Sequence, residues 1–461
     1  MSSTADRVVS TSPQAPDDVV ADLPPATAED VGRAATQART AQKAWWSGGA
    51  AARAAALDGL ADRLVARSSE AADLLVREVG KPRTEATGEV ARAVSILRYY
   101  AQQAFDPVGA TYPPSLGGRL WTERRPHGVA ALVTPWNFPL AIPLWKAAPA
   151  LATGNAVLLK PSPEATAVAL RLGELLGAAV GAELFQVLPG GAGTGKAMLE
   201  EVDCLSFTGS VAVGRQVAVA ATGRGVPSQA EMGGLNASLV LPDADPERAA
   251  AAVAGAAMGY AGQKCTATSR AVVVGDPGPF TEALVEAVRG LAVGDPADNA
   301  TVVGPVITEP ARRRVVEAAA EAAAAGGRLL TGGTAGPGAG WFVAPTLVDG
   351  LDPGARLAQE EVFGPIAVVL AAADEDEAVR LANGVRYGLV GSVFTGDLDR
   401  ALRLAARLDT GMIRVNAPTS GVDYLAPFGG EKDSSFGPRE QGKAARDFYT
   451  STRTITILPQ G

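Results

Sequence analysis

The sequence predicts an α/β protein built on doubly wound parallel sheets. Three observations predict it. Short apolar runs alternate with longer amphipathic stretches from Gly128 to about residue 223, the signature of strand–helix–strand units. The same alternation restarts after Glu231, so a second sheet follows the first. With 461 residues, 47% hydrophobic and 20% charged, the chain is long enough for two or three cores.

Taken in order, residues 1–28 are rich in Ser, Pro and Asp and read as a flexible or weakly strand-forming lead. From about Pro25 to Gln103 the pattern is helical. Arg53, Leu57, Leu60, Leu64 and Val65 recur at helical spacing; Gly80-Lys81-Pro82 breaks the run; Glu85, Glu89, Val90, Val94, Leu97 and Tyr100 resume it. These read as amphipathic packing helices. Residues 108–126 are an extended excursion. Gly128-Val129-Ala130-Ala131-Leu132-Val133-Thr134 is a buried strand that runs into Pro135-Trp136-Asn137-Phe138-Pro139. Pro139 can open the next helix, which puts Asn137 at a strand-to-helix corner where α/β ligand sites collect. An ordinary turn asparagine is the plain alternative.

Strand Ala156–Lys160 then leads to a helix after Pro163, strand 185–188 to a glycine turn and a helix around 196–201, and strand Cys204–Thr208 to Gly209-Ser210 and a helix from Val211. The turn Gly190-Gly191-Ala192-Gly193-Thr194-Gly195-Lys196-Ala197 almost reads as a phosphate loop. Ala197 stands where Ser or Thr must hold magnesium, and the glycine spacing is not that of the common dinucleotide fingerprint. It is a tight strand-to-helix turn. Past Glu231 come strand 238–241, a helix over 246–261, and further elements at 271–274, 310–325, 366–370, 391–395 and 413–416, with a loop at Gly332-Gly333 and Gly336-Pro337-Gly338. The terminal Thr452-Arg453-Thr454-Ile455-Thr456-Ile457-Leu458 alternates like an edge strand.

The bulk properties exclude several functions. A net charge of −8 and a pI near 5.1 give no nucleic-acid surface. No apolar stretch reaches the roughly 18 residues of a membrane span, and the N-terminus lacks a signal-peptide core. Two distant cysteines without a disulfide framework point to the cytoplasm. A single histidine, His127, leaves no stock for a zinc site of the usual kind, and no metal is expected.

The two cysteines differ in setting. Cys204 lies in an apolar strand, where a free thiol is usually inert packing. Cys265, in Gly262-Gln263-Lys264-Cys265-Thr266, lies among small and polar residues beside a lysine, which suggests an open, electropositive site with a lowered thiol pKa. The pentapeptide alone fits a second packed cysteine equally well. If Cys265 is a nucleophile, the scarcity of histidine makes a carboxylate its base, and Glu231 in Glu231-Met232-Gly233-Gly234-Leu235-Asn236 is the candidate.

Glu231-x-Gly-Gly-x-Asn followed, 34 residues after Glu231, by Cys265 in Gly262-Gln263-x-Cys resembles the NAD(P)-dependent aldehyde dehydrogenase superfamily, and matching motifs run from about Arg53 to the C-terminus. The resemblance implies a fold of two doubly wound parallel-sheet domains plus a small oligomerisation arm. It divides the chain into an NAD(P)-binding domain (1–107 and 127–233), a catalytic domain carrying the nucleophile (234–430) and the arm (108–126 and 446–461), in a homodimer or homotetramer. It implies that Cys265 attacks an aldehyde, that Asn137 and the Cys265 N–H hold the oxyanion, and that Glu231 activates the water that hydrolyses the thioester. It places the cofactor on Trp136, Lys160, Gly190, Gly209, Ser210, Val213, Glu361 and Phe363, and the substrate channel on Ile142, Trp145, Lys264 and Phe428. Lys146, Asn155 and Tyr387 match as structural positions. Ser435 stands where the family commonly has Gly, and little consequence is expected.

NAD-preferring relatives often place a carboxylate three residues after the lysine; here that residue is Pro163, with Glu164 next. NADP use is therefore expected, with NAD also accepted. The wider Cys265 stretch, Gly421-Val422-Asp423-Tyr424 and Gly437-Pro438-Arg439-Glu440-Gln441-Gly442 resemble the 2-oxoglutarate semialdehyde dehydrogenase branch. Lys264 next to the nucleophile, with Arg124, Arg125 and Lys146 near other motifs, suits such an anionic substrate, unless Lys264 simply points to solvent. Aromatic aldehydes are the rival, since Trp145, Tyr424 and Phe428 could stack on a ring. A catalytically weak cofactor-binding protein of the same fold is the alternative from another class.

Overall fold

Val129–Val133 is apolar throughout because it is the central strand of a sheet covered on both faces, where alternation has no use. The computed structural model describes residues 7–106, 109–336 and 338–459. The 107/108 end of the arm, Pro337 of the glycine loop, and residues 1–6 and 460–461 lie outside them. The sheet has six strands in the order Ser435–Phe436, Ser228–Glu231, Cys204–Thr208, Val129–Val133, Ala156–Lys160, Phe185–Val187. All neighbours are parallel except the Ser435–Phe436 pair. The chain moves outward from Val129–Val133 through two strands, then returns to Cys204–Thr208 on the other side. The loops after Val133 and Thr208 therefore diverge and leave a crevice at the carboxyl edge.

A second sheet of seven strands runs Arg328–Thr331, Thr346–Asp349, Ile366–Ala372, Thr268–Val274, Asn236–Val240, Val390–Phe394, Met412–Val415, antiparallel only at its first pair. Four helices, Ala28–Ser47, Gly49–Ala66, Ser68–Val79 and Arg83–Gln103, occupy the predicted helical region. Thr27 and Asp30 form a reciprocal cap on the first. Gly80, at φ 63°, ends the third against Pro305, a conformation L side chains avoid. Thr450–Ile457, Arg119–Pro126 and Thr111–Tyr112 form a three-stranded antiparallel arm with Thr450–Ile457 at its edge and most of its residues outside the core.

Four readings need correction. The lead forms a hairpin, Val8–Ser12 with Ala15–Leu23. Its inward residues include serines; the Ser10 hydroxyl donates to buried Glu78 (2.6 Å), so no apolar alternation announces it. The glycine turn is shorter than read, because the helix already starts at Ala192 and takes in Gly193 and Gly195, the latter packed on the Lys160 stem. The helix after Pro139 begins two residues later, at Ala141. The helix read over 246–261 is Pro246–Met258, and a left-handed turn replaces its end. No helix among the described residues is long and apolar enough to cross a membrane.

Candidate active site

That left-handed turn presents Cys265. Tyr260 (φ 54°), Ala261 (φ 52°) and Gly262 (φ 66°) are consecutive, and each non-glycine there costs on the order of 1–3 kcal/mol. The surroundings hold it. The Tyr260 hydroxyl donates to Val79 O (3.2 Å), and Gln263 donates to Tyr260 O (3.3 Å) and Pro305 O (3.2 Å) while accepting from Ile307 N–H (2.8 Å). At Gly262 a Cβ would strike Gly364 O. Asn236 Nδ2 donates to Cys265 O and Ala267 O, both at 2.8 Å, fixing the chain on the far side. The thiol is left half-buried on the wall of a cavity of about 440 Å³, which Ile142, Trp145, Lys264 and Phe428 also line. All four expected channel residues thus share one space with the thiol. The Trp145 and Phe428 rings pack with centroids 5.7 Å apart.

Asn137 follows the central strand of the first sheet and is 4% exposed. Its Nδ2 donates to Gln263 O (2.9 Å), two residues before Cys265, and its Oδ1 has no partner. Glu231 ends the strand Ser228–Glu231, two places from the central strand with Cys204–Thr208 between them, and is 2% exposed. The Ser435 hydroxyl donates to its Oε2, whereas Oε1 has no partner. A Cβ at Gly429 would lie 2.7 Å from that free oxygen, so glycine keeps the space open. Burial pushes the Glu231 carboxyl well above its ordinary value, and the charge of Glu440 adds to this. Glu440 pairs with buried Lys146, which also donates to Ser206 Oγ (2.7 Å), and accepts from Trp145 Nε1 (2.8 Å). Ser435 is therefore a correction: its hydroxyl is bonded to the expected base.

Lys264 is a second correction. It is 8% exposed, so it does not point to solvent, and its ammonium pairs with Glu85 on the helix Arg83–Gln103. The Cys265 pKa is raised rather than lowered, by burial and then by Glu361, Glu231 and Glu440. The charges that act on the thiol are therefore carboxylates. Arg124 is bonded to Thr450 and Asp447 beside the arm, not in the channel. His127 Nε2 lies 3.0 Å from Phe448 O. Cys204 is fully buried in its strand.

The expected cofactor residues border the carboxyl-edge crevice and the loop facing it. Lys160 donates to Pro161 O and Gly190 O, both at 2.9 Å, and burial lowers its pKa to about 8. At Gly190 a Cβ would strike Thr194, and at Gly209 it would strike Phe207. Ser210 caps the helix Val211–Gly223 through Val213 N–H (3.5 Å), and Ser210 and Val213 are exposed. Glu361 accepts from Gly234 N–H (3.1 Å), and burial raises its pKa to about 7. Phe363 sits at φ 58°, its ring edge-on to Trp136 with centroids 5.7 Å apart. Thr134 and Thr208 at the strand ends carry buried hydroxyl oxygens with no partner. A lysine, bare glycines, a helix N-terminus and orphaned hydroxyls fit a dinucleotide. Glu164, the candidate for NAD preference, is bonded by the Ser162 hydroxyl.

Sequence reasoning missed Glu440, Glu85, Glu89 and Arg92 as members of this site. A signal existed for three of them: 85, 89 and 92 fall at i, i+4 and i+7 on one stripe of a helix otherwise read as packing.

The sequence profile of the aldehyde dehydrogenase family matches residues 1–455. The chain is 38% identical to the alpha-ketoglutaric semialdehyde dehydrogenase of Bacillus subtilis, over 99% of this chain and 96% of that one. It is 39% identical to the alpha-ketoglutarate semialdehyde dehydrogenase of Haloferax volcanii, over 98% and 96%. An NAD-dependent aldehyde dehydrogenase from Sinorhizobium meliloti superposes with a TM-score of 0.95 at 32% identity, covering 99% of this chain and 92% of that one. An E. coli NADP-dependent enzyme superposes with a TM-score of 0.95 at 33% identity, covering 98% and 95%. A family match along nearly the whole chain, with relatives this similar in both sequence and fold, makes this protein an enzyme of the aldehyde dehydrogenase family.

Proposed function

We propose that this enzyme oxidises a short aldehyde carrying a carboxylate, of the 2-oxoglutarate semialdehyde kind, to the corresponding acid, using NADP or NAD. The observation that carries the reading is that Cys265 lines the cavity, Asn137 donates to Gln263 O two residues before it, and the charge of Glu231 is felt at the Cys265 thiol. The semialdehyde dehydrogenases among its relatives supply the substrate class.

Cys265 sulfur adds to the aldehyde carbon, and the carbonyl oxygen becomes an oxyanion. The second Nδ2 proton of Asn137 and the Cys265 N–H stabilise it, each such donor being worth about 2.7–4 kcal/mol of barrier. A bound nicotinamide supplies the acceptor for the hydride leaving that carbon. Glu231 then takes a proton from water, the hydroxide attacks the thioester carbon, and the C–S bond breaks to release the acid and the thiolate. The raised Glu231 pKa makes it a stronger base than a surface carboxylate. Lys160, Ser210 and Glu361 would hold the dinucleotide, with Trp136, Gly190, Gly209, Val213 and Phe363 shaping its bed. The division into a cofactor-binding part (1–107, 127–233), a catalytic part (234–430) and an oligomerisation arm belongs to this reading.

The Trp145–Phe428 ring pair favours a second reading, an aromatic aldehyde. An aldehyde panel scored by kcat/KM with NAD and with NADP separates the two. Benzaldehyde outperforming 2-oxoglutarate semialdehyde would favour the aromatic reading, and a preference for NAD over NADP beyond about a hundredfold, roughly 2.7 kcal/mol, would exclude the NADP expectation.

A further inference from the structure

Four charged residues line the cavity that holds Cys265: Glu85, Glu89, Arg92 and Lys264. Three are already matched. Lys264 pairs with Glu85, and Glu89 pairs with Lys81 from behind the wall. Arg92 is different. It projects from the same helix, half-buried, and its Nη1 donates to the Val422 carbonyl at 2.7 Å. Among the described residues no carboxylate lies within ion-pairing distance of it. Asp423 is near enough for its charge to be felt, but its Oδ1 accepts from the Leu425 N–H at 2.9 Å. Arg92 is therefore the one charged residue of the cavity wall that makes no ion pair among the described residues, with Asp423 acting on it only at longer range.

The rest of the wall makes that charge consequential. Phe138, Ile142, Trp145, Val422 and Phe428 are apolar, and the hydroxyls of Thr84, Thr266 and Ser420 on the same wall carry no charge, so an anion entering here loses water and finds an unpaired cation only at Arg92. Gln441, 2% exposed, lines the same cavity with its Oε1 unpartnered; that oxygen is an acceptor and holds no carboxylate, so the anion-binding donors on this wall are those of Arg92. A guanidinium has five donors in a planar fork, and the Val422 carbonyl uses one of Arg92's. Those remaining can hold a carboxylate through two parallel bonds. Lys264 cannot serve in this way without abandoning Glu85.

We propose that Arg92, rather than Lys264, anchors the distal carboxylate of the aldehyde while its other end meets Cys265. This rests on the substrate class proposed above and names the group that selects it.

The test uses the full-length enzyme as wild type, Arg92→Gln and Arg92→Lys. The quantity read is the ratio of kcat/KM for 2-oxoglutarate semialdehyde to that for pentanal. A charged hydrogen bond of the usual strength predicts a fall of about 10- to 100-fold in that ratio in Arg92→Gln, carried by KM, with part restored in Arg92→Lys. A merely structural role would depress both aldehydes together, and an unchanged ratio overturns the proposal. Glutarate competing against pentanal gives a second arm: its inhibition constant should rise at least about tenfold in Arg92→Gln, and equal inhibition of both proteins overturns the anchor. If wild type shows no preference for the semialdehyde over pentanal, the substrate reading fails, and the glutarate arm still decides Arg92.

Discussion

On the wall built by the helix Arg83–Gln103, each carboxylate meets its own cation, the half-buried Glu85 with Lys264 and the buried Glu89 with Lys81. On the opposite side, at the end of the six-stranded sheet, Glu231 and Glu440 have one buried lysine between them, Lys146, and it is paired with Glu440. The residue types are the same, and the outcomes are opposite. Burial pushes the Glu85 carboxyl up, but Lys264 outweighs it and holds the group below its ordinary value. Burial and then Glu440 push Glu231 up, and the Ser435 hydroxyl, Lys146 and Arg439, none of them in an ion pair with it, only partly offset them. Whether a cation forms an ion pair with the carboxylate, not burial alone, separates a structural pair from a group suited to accept a proton.

The strongest way to break this comparison is to remove the unmatched carboxylate. Glu231→Gln should lower kcat by about 10²- to 10⁴-fold, the usual contribution of a general base, and intact-protein mass spectrometry should detect an accumulated acyl-enzyme after mixing with aldehyde and cofactor. Full turnover in that variant would remove Glu231 from the mechanism.

The matched wall should instead respond in stability. Lys81 and Glu89 are both fully buried, with the ammonium 3.7 Å from the Phe138 ring centroid. Lys81→Met leaves the buried Glu89 carboxylate without its cation, held only by the Leu140 and Ala141 N–H groups, and should cost about 3–5 kcal/mol in urea unfolding. Lys264→Met should cost less, because the Glu85 side chain is 31% exposed and water can take the place of the lost partner. A reversed order would show that exposure does not decide these pairs.

A finer test moves the acid limb of the kcat–pH profile. Glu231 must be ionised to act, so the rate is present above its pKa and lost as pH falls through it. Glu440→Gln removes a negative neighbour, lowers the Glu231 pKa and should shift the limb to lower pH. Ser435→Gly removes the donor that favours the ionised form and should shift it to higher pH. Shifts in the same direction would mean that neither residue acts through Glu231.

The smallest effect concerns the cofactor. Lys160 has a pKa lowered to about 8 by burial, so its ammonium is present below that pH and is lost above it. The KM for NADP, relative to that for NAD, should rise by roughly tenfold or less from pH 7 to pH 9, the strength of one charged hydrogen bond. A flat ratio would place the 2′-phosphate away from Lys160.

Much of this was legible along the chain. Strand–helix alternation is a local pattern, so it announced both sheets, whereas Asn137 and the Gly262–Thr266 stretch were ambiguous on their own chemistry and took their expected roles from the family resemblance. The N-terminal hairpin was not legible, because Ser10 and Ser12 are buried where apolar residues were expected, with Ser10 bonded to Glu78, 68 residues away. Lys264 was placed on the cavity without its partner for the same reason: Glu85 is 179 residues away in the chain.

By itself the sequence determined which residues can do chemistry and which face of each element they occupy, since side-chain type and helical or strand period are properties of a few consecutive residues. Only the tertiary structure decided which charges meet. The Cys265 thiol was expected to be lowered by its neighbour in sequence and is raised by burial and by Glu361, Glu231 and Glu440, which arrive from other strands and loops. Electrostatic interaction falls with distance in space rather than along the chain, so the sign of that shift, the pairing of Lys264 and the unmatched charge of Arg92 became fixed only when the helix, the two sheets and the loop that follows residue 430 closed around one cavity.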